Sequence, residues 1–302
     1  MAVEAIATGL SWDVGADIHQ LFSEHFMVNA YRAGTIVAIA AGAVGWFMVL
    51  RRQTFAGHTL AVVSFPGAAG AILLGVSATA GYFGAATAAA VVIALVPRSP
   101  SGQTYAHESA VIGTVQAFAL ACGALFVSLY GGFLNSLTGL LFGTFLGISD
   151  TQVATLLVVA VVVVLVLIVI ARPLFFATVD PDVARARGVP VRLVSTAFLV
   201  LLGCAAAEVS QITGALLVFA LLVMPAAAAQ QVTARPGVSF GLTILFGLLI
   251  VWLGLGVAYF SIYPVGFFVT TFGFGIFVLA AAVRAARPRR ARRSTLRGVV
   301  VA

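Results

Sequence analysis

From Gln152 to Ala171 the chain runs for twenty residues without a charged side chain, and Arg172 follows. A helix of about 20 residues, rising 1.5 Å per residue, is as long as the hydrocarbon of a bilayer is thick. Runs of this kind recur along the chain and are continuous rather than alternating, which selects helices over a barrel. Charged residues are 8% of the 302 and hydrophobic ones 62%, whereas soluble domains carry about 25% charged residues. Such a chain cannot cover a water-facing surface. The expected fold class is all-α, a polytopic integral membrane helical bundle of about nine transmembrane helices with a re-entrant segment.

The nine expected spans cover about 30–50, a second ending near 77, a third ending near Pro97-Arg98, 110–130, 152–171, a sixth ending near Ala207, 212–230, 238–258 and 264–283. Residues 131–150 are apolar but short and broken by glycine, which fits a re-entrant helix better than a crossing. Residues 1–28 are expected outside the membrane or at its surface. Ile18, Leu21, Phe22 and Phe26 place apolar points there at helical spacing. The first 31 residues contain no arginine, which argues against a cleaved signal peptide.

All 16 basic residues are arginine. With nine crossings and the N-terminus outside, every arginine but Arg32 falls on the inner side, an asymmetry that fixes orientation. Residues 29–284 form the expected membrane domain and 285–302 a basic cytoplasmic tail, which suits contact with anionic lipid. No stacking aromatics accompany the tail, so nucleic acid is not expected as a partner. A phosphate-binding loop needs lysine. Any nucleotide energy must therefore come from another polypeptide.

Between the fifth and sixth runs lies a polar island, Thr178–Arg192. It holds complete start and stop signals for one short helix over 180–188. Asp180 is a good N-cap, Pro181 suits the first helical position, and Asp182 complements the positive end of the helix dipole. Arg185 and Arg187 fall in the last turn, Gly188 can take the left-handed closing conformation, and Pro190 blocks continuation. The alternatives are a solvated loop or a docking element for a soluble partner, and the doubly specified caps favour docking.

Ionisable groups near the spans are few. Glu108 and Asp150 read as boundary residues able to reach water. Glu208 reads as the point where the sixth span meets an outer turn, and so as a candidate for the outer vestibule. His58 heads the second span and is either a hydrogen-bonded structural residue or a ligand. A single imidazole cannot hold a transition metal alone. Pro66 and Pro225 are expected to interrupt their spans, lining a substrate pathway or making packing kinks. Cys122 and Cys204 lie in apolar runs without metal-type spacing and read as small core residues. No nucleophile–base pair is present, so enzymatic chemistry has no support and no catalytic residue is expected.

Several stretches together resemble the permease subunits of ATP-binding-cassette importers for zinc, manganese and related metal ions. They are Val49–Gly57 leading to Phe65-Pro66-Gly67, Leu141-Phe142-Gly143, the island with Gly188-Val189-Pro190, and Gly214–Leu217 through Ala220–Ala227. The resemblance extends over about residues 27–283. It implies that the island is a coupling helix on a cytoplasmic ATPase, which uses ATP while this chain binds no cofactor. It further implies a second permease copy, an extracytoplasmic substrate-binding protein, a place in the cytoplasmic membrane, and a divalent metal ion as cargo. Members typically carry Asp and His four residues apart in the second span; here those positions read His58 and Val62. The acidic residue usual before the last turn is absent from Ser261–Gly266. His58 is thus the one remaining metal-ligand candidate, and a weaker site, a chelated metal or another cargo stay open. The reading from a different class is a proton-coupled secondary transporter that works without an ATPase.

Overall fold

The structure is a computed structural model, which describes residues 14–95, 104–129, 143, 147–215 and 217–286. In chain order the helices are α1 (Val14–Ser23), α2 (His25–Leu50), α3 (Thr54–Leu73), α4 (Ala78–Leu95), α5 (Thr104–Leu129) and α6 (Asp150–Val179). After them come α7 (Pro181–Ala186), α8 (Val191–Thr213), α9 (Val218–Leu222), α10 (Met224–Val232), α11 (Pro236–Tyr259) and α12 (Val265–Ala286). Among the described residues, eight helices are long and apolar enough to cross a membrane. Backbone groups in lipid must be satisfied within the segment, and continuous helices do this.

Helices α2, α3 and α8 form the buried centre, and most of the α6 surface is exposed. α3 packs between α4 and α5, α4 lies on α8, and α2 lies between α6 and α11. α12 covers α10 and α11. Trp46 is a hub of this arrangement. Its indole N–H donates to Ser239 Oγ at 3.0 Å, its carbonyl accepts from Gln230 Nε2 at 3.0 Å, and its ring stacks on Phe175 at 6.2 Å. A buried indole with its N–H satisfied joins α2 to α6, α10 and α11.

The expected seventh span is not one helix. α8 runs on to Thr213, Gly214 turns the chain with φ +78°, and two short helices follow, divided at Val223. Pro225 sits in the first turn of α10, where its missing N–H leaves no bond unmade. The break is therefore set by Gly214 and Val223, and Pro225 only follows it.

Pro66 corrects the expectation of an interrupted span, since α3 is continuous through it. Pro66 and Gly67 are packing residues instead. A Cβ on Gly67 would collide with the Gly81 carbonyl, and one on Gly123 would stand 3.0 Å from Pro66 Cγ. Small residues let α3 approach α4 and α5 closely, as membrane interfaces require.

The fifth span likewise does not stop at Arg172. α6 passes Pro173 and continues to Val179, with Leu174 and Ala177 buried and Phe175 under Trp46. Packing of these side chains outweighs the hydrogen bond lost at proline. Asp150 is the first residue of α6 and is exposed, as expected of a boundary position. Ser149 and Gln152 close a reciprocal capping box beside it. α1 is a separate surface helix that exposes Ile18 and Phe22. The re-entrant reading of 131–150 and the tail beyond Ala286 lie outside the described residues, apart from Gly143 and 147–150.

Candidate functional site: coupling helix and pathway

The island folds as its local chemistry dictates. Asp180 Oδ1 accepts from the backbone N–H of Asp182 at 3.1 Å and of Val183 at 2.9 Å, capping α7. Arg185 Nη1 donates to Asp182 Oδ1 at 2.6 Å one turn away. Gly188 has φ +80°, and the N–H of Val189 returns to the Ala184 carbonyl at 3.0 Å. That is a left-handed helix stop. Ala184 is fully buried beneath the helix, whereas Asp180, Pro181, Asp182, Arg185, Arg187 and Gly188 are exposed. Six polar or conformationally special residues thus stand in solvent on a fixed base.

That base depends on a residue whose role the sequence did not disclose. Arg51, at the end of α2, donates from Nη1 to Thr178 Oγ at 3.0 Å and from Nη2 to Ser195 Oγ at 2.9 Å. Its guanidinium also lies 5.4 Å from the centre of the Phe198 ring. Thr178 precedes α7 and Ser195 follows it, so one arginine spans both supports of the helix. Its partners lie more than 120 residues away in the chain, and no local pattern announces them.

His58 lies one turn into α3, about 6 Å along the axis from Thr54, toward the end of the bundle that carries α7. It is half-buried; its Nδ1 is buried without a partner, and its ring centre is 4.9 Å from that of Phe219 in α9. Val62, one turn on, is buried and offers no donor atom.

Glu208 corrects the expectation of an outer turn. It lies inside α8, fully buried, and neither carboxylate oxygen has a partner. Glu208 and His58 do not converge. Ser210 Oγ lies 3.4 Å from the Ala61 carbonyl, so that side of α8 faces α3. Glu208 precedes Ser210 by two residues, about 200° around the helix. Among the described residues, no three His, Cys, Asp or Glu side chains gather closely enough to hold a metal ion.

Beside the break between α8 and α9, an apolar cleft of about 480 Å³ is lined by Leu217, Pro264, Phe267, Thr270 and Phe274. Thr270 Oγ is buried there without a partner, as is Gln211 Nε2 in α8.

Residues 23–284 match the ABC 3 transport family. The chain is 31% identical to the manganese transport system membrane protein MntC of Halalkalibacterium halodurans over 243 residues, 80% of this chain and 81% of that protein. It is also 31% identical to the chelated iron transport system membrane protein YfeC of Yersinia pestis, across 81% of this chain and 80% of that one. Among solved structures it superposes on a chain of PsaBC from Streptococcus pneumoniae in complex with Fab. The TM-score is 0.78 at 26% identity, covering 88% of this chain and 95% of the other.

Proposed function

The chain belongs to the ABC 3 transport family, and from that premise we propose that it is the permease subunit of an importer for a divalent metal ion, manganese or zinc, driven by a separate ATPase through α7. The observation that carries this is the geometry of α7. It is a short exposed helix with both ends specified, seated on Ala184 and braced below by Arg51. A connecting loop needs none of this.

ATP binding in the partner moves α7. Thr178 and Ser195 pass the motion through Arg51 to α2 and so to the central helices. A second copy of the chain completes the passage, and an extracytoplasmic binding protein delivers the ion. The chain itself performs no catalysis, binds no cofactor and spans the cytoplasmic membrane several times. His58, with its free Nδ1 beside the broken α9, is the ligand this chain offers to the passing ion. An imidazole suits zinc among divalent ions, and manganese would need oxygen ligands beside it. Pro225 and the cleft at α12 line the route, while Pro66 holds the packing around it.

The reading as a proton-coupled secondary transporter rests on Glu208 and His58 as intramembrane titratable groups. Glu208 stands about 200° around α8 from Ser210, the residue that meets α3, so the two make no relay. The test is reconstitution of the chain with its ATPase in proteoliposomes, with ATP hydrolysis measured against manganese, zinc and iron. Stimulation by one of these ions supports the proposal. Uptake that follows a proton gradient and ignores ATP overturns it.

A further inference from the structure

The end of the bundle remote from α7 carries donors that the transport reading does not use. We propose that His25, Asn29, Asp150 and the Ile148 carbonyl form a binding site for one divalent transition-metal ion of the manganese or zinc class, separate from the pathway at His58.

His25 opens α2 and Asp150 opens α6. His25 Nε2 stands 3.2 Å from Asp150 Oδ2. The Asn29 amide nitrogen stands 3.0 Å from Asp150 Oδ1, 3.3 Å from the Ile148 carbonyl and 3.5 Å from His25 Nε2. Donors bound to one ion at about 2.1 Å stand roughly 3.0–3.4 Å apart, from octahedral to tetrahedral geometry. Three of these four separations fall within ligand spacing and the fourth, Asn29 to His25, is 3.5 Å.

A second observation points the same way. Asn29 is 2% exposed, and its Oδ1 is buried with no donor near it. Half a turn about the last side-chain bond puts that oxygen where the nitrogen now stands, among the other donors, and moves the NH2 group to the buried position the oxygen leaves. The amide then becomes a ligand, and the ion replaces the hydrogen bonds its nitrogen made. Only two of the four donors are His or Asp side chains; the others are amide-type oxygens, which bind cations without charge.

The donor set selects the ion class. One imidazole nitrogen among oxygens disfavours calcium and magnesium, which take oxygen shells, and admits manganese or zinc. The His25 and Asp150 side chains are 73% and 69% exposed, so the ion enters from solvent and water fills its remaining positions. A bound ion would pin the start of α2 to the start of α6.

The experiment uses the full-length protein in nanodiscs, in a His58→Ala background so that the pathway ligand is silent. Manganese chloride is titrated and bound ion read by electron paramagnetic resonance, with calcium chloride as the comparison. The expected result is one manganese per chain and a raised thermal midpoint. His25→Ala and Asp150→Ala, both at exposed positions, should each weaken binding at least tenfold, and Asn29→Asp should tighten it. The site is overturned if the unsubstituted site binds no manganese at millimolar concentration, if calcium binds equally well, or if His25→Ala and Asp150→Ala bind unchanged. A failed pathway reading would show instead as His58→Ala transporting normally.

Discussion

The Arg51 guanidinium donates to Thr178 Oγ at 3.0 Å and so closes the end of α2 onto the end of α6. Its second arm reaches Ser195 at 2.9 Å on the far side of α7. Charged hydrogen bonds of this kind contribute about 1.5–3 kcal/mol each. Arg51→Met should leave the protein in the membrane and reduce ATP-coupled uptake at least tenfold, while basal ATPase association falls less. Arg51→Lys should recover little, because an ammonium lacks the planar fork that serves two acceptors. Uptake at the unsubstituted level in Arg51→Met would show that the brace is not part of coupling.

Gly188 closes α7 with φ +80°. Valine there forces a side chain into the left-handed region at about 1–2 kcal/mol. Gly188→Val should reach the membrane in normal amount and lose the ATPase on co-purification. Asp180→Ala, which removes the cap at about 1 kcal/mol, should act in the same direction more weakly. Retained association in both variants would reduce α7 to a loop.

His58→Ala should abolish metal-dependent transport without lowering abundance, since the residue is half-buried and its Nδ1 makes no internal bond. Val62→His restores a second imidazole one turn away and should tighten binding, read as a lower half-saturating ion concentration for ATPase stimulation. Normal transport by His58→Ala would make the histidine structural.

Glu208 is buried with both oxygens unpartnered. Leaving a buried polar group unsatisfied costs about 1–3 kcal/mol. Glu208→Leu should therefore raise the thermal midpoint in detergent, and a loss of transport in the same variant would mark the carboxyl as functional. A lowered midpoint would mean that Glu208 has a partner that matters to the fold.

α7 and the His25–Asp150 cluster lie at opposite ends of the bundle, because α2 and α6 each run from one to the other. In a background of Cys122→Ala and Cys204→Ala, a cysteine at Asp182 should be labelled by impermeant reagent only in inverted vesicles. A cysteine at Ser149 should be labelled only in intact cells. Labelling of both from one side would overturn the orientation drawn from the arginines.

What the sequence by itself determined is what depends on neighbours within a few turns. Run length and apolarity specified eight of the nine expected crossings as single helices, because lipid leaves the backbone no partner but itself. Asp180, Pro181 and Gly188 specified α7, because capping is completed within one turn. Tertiary structure decided the rest. Proline reads locally as a stop, yet Pro66 and Pro173 lie within continuous helices, since side chains such as Leu174 and Phe175 are buried by other helices. The real break came from Gly214 and Val223, and Glu208 fell inside α8 because that helix continued past its expected end. Arg51 meets Thr178 across 127 residues and His25 meets Asp150 across 125. Contacts at that separation exist only after the helices have packed, because packing alone decides which polar ends face each other.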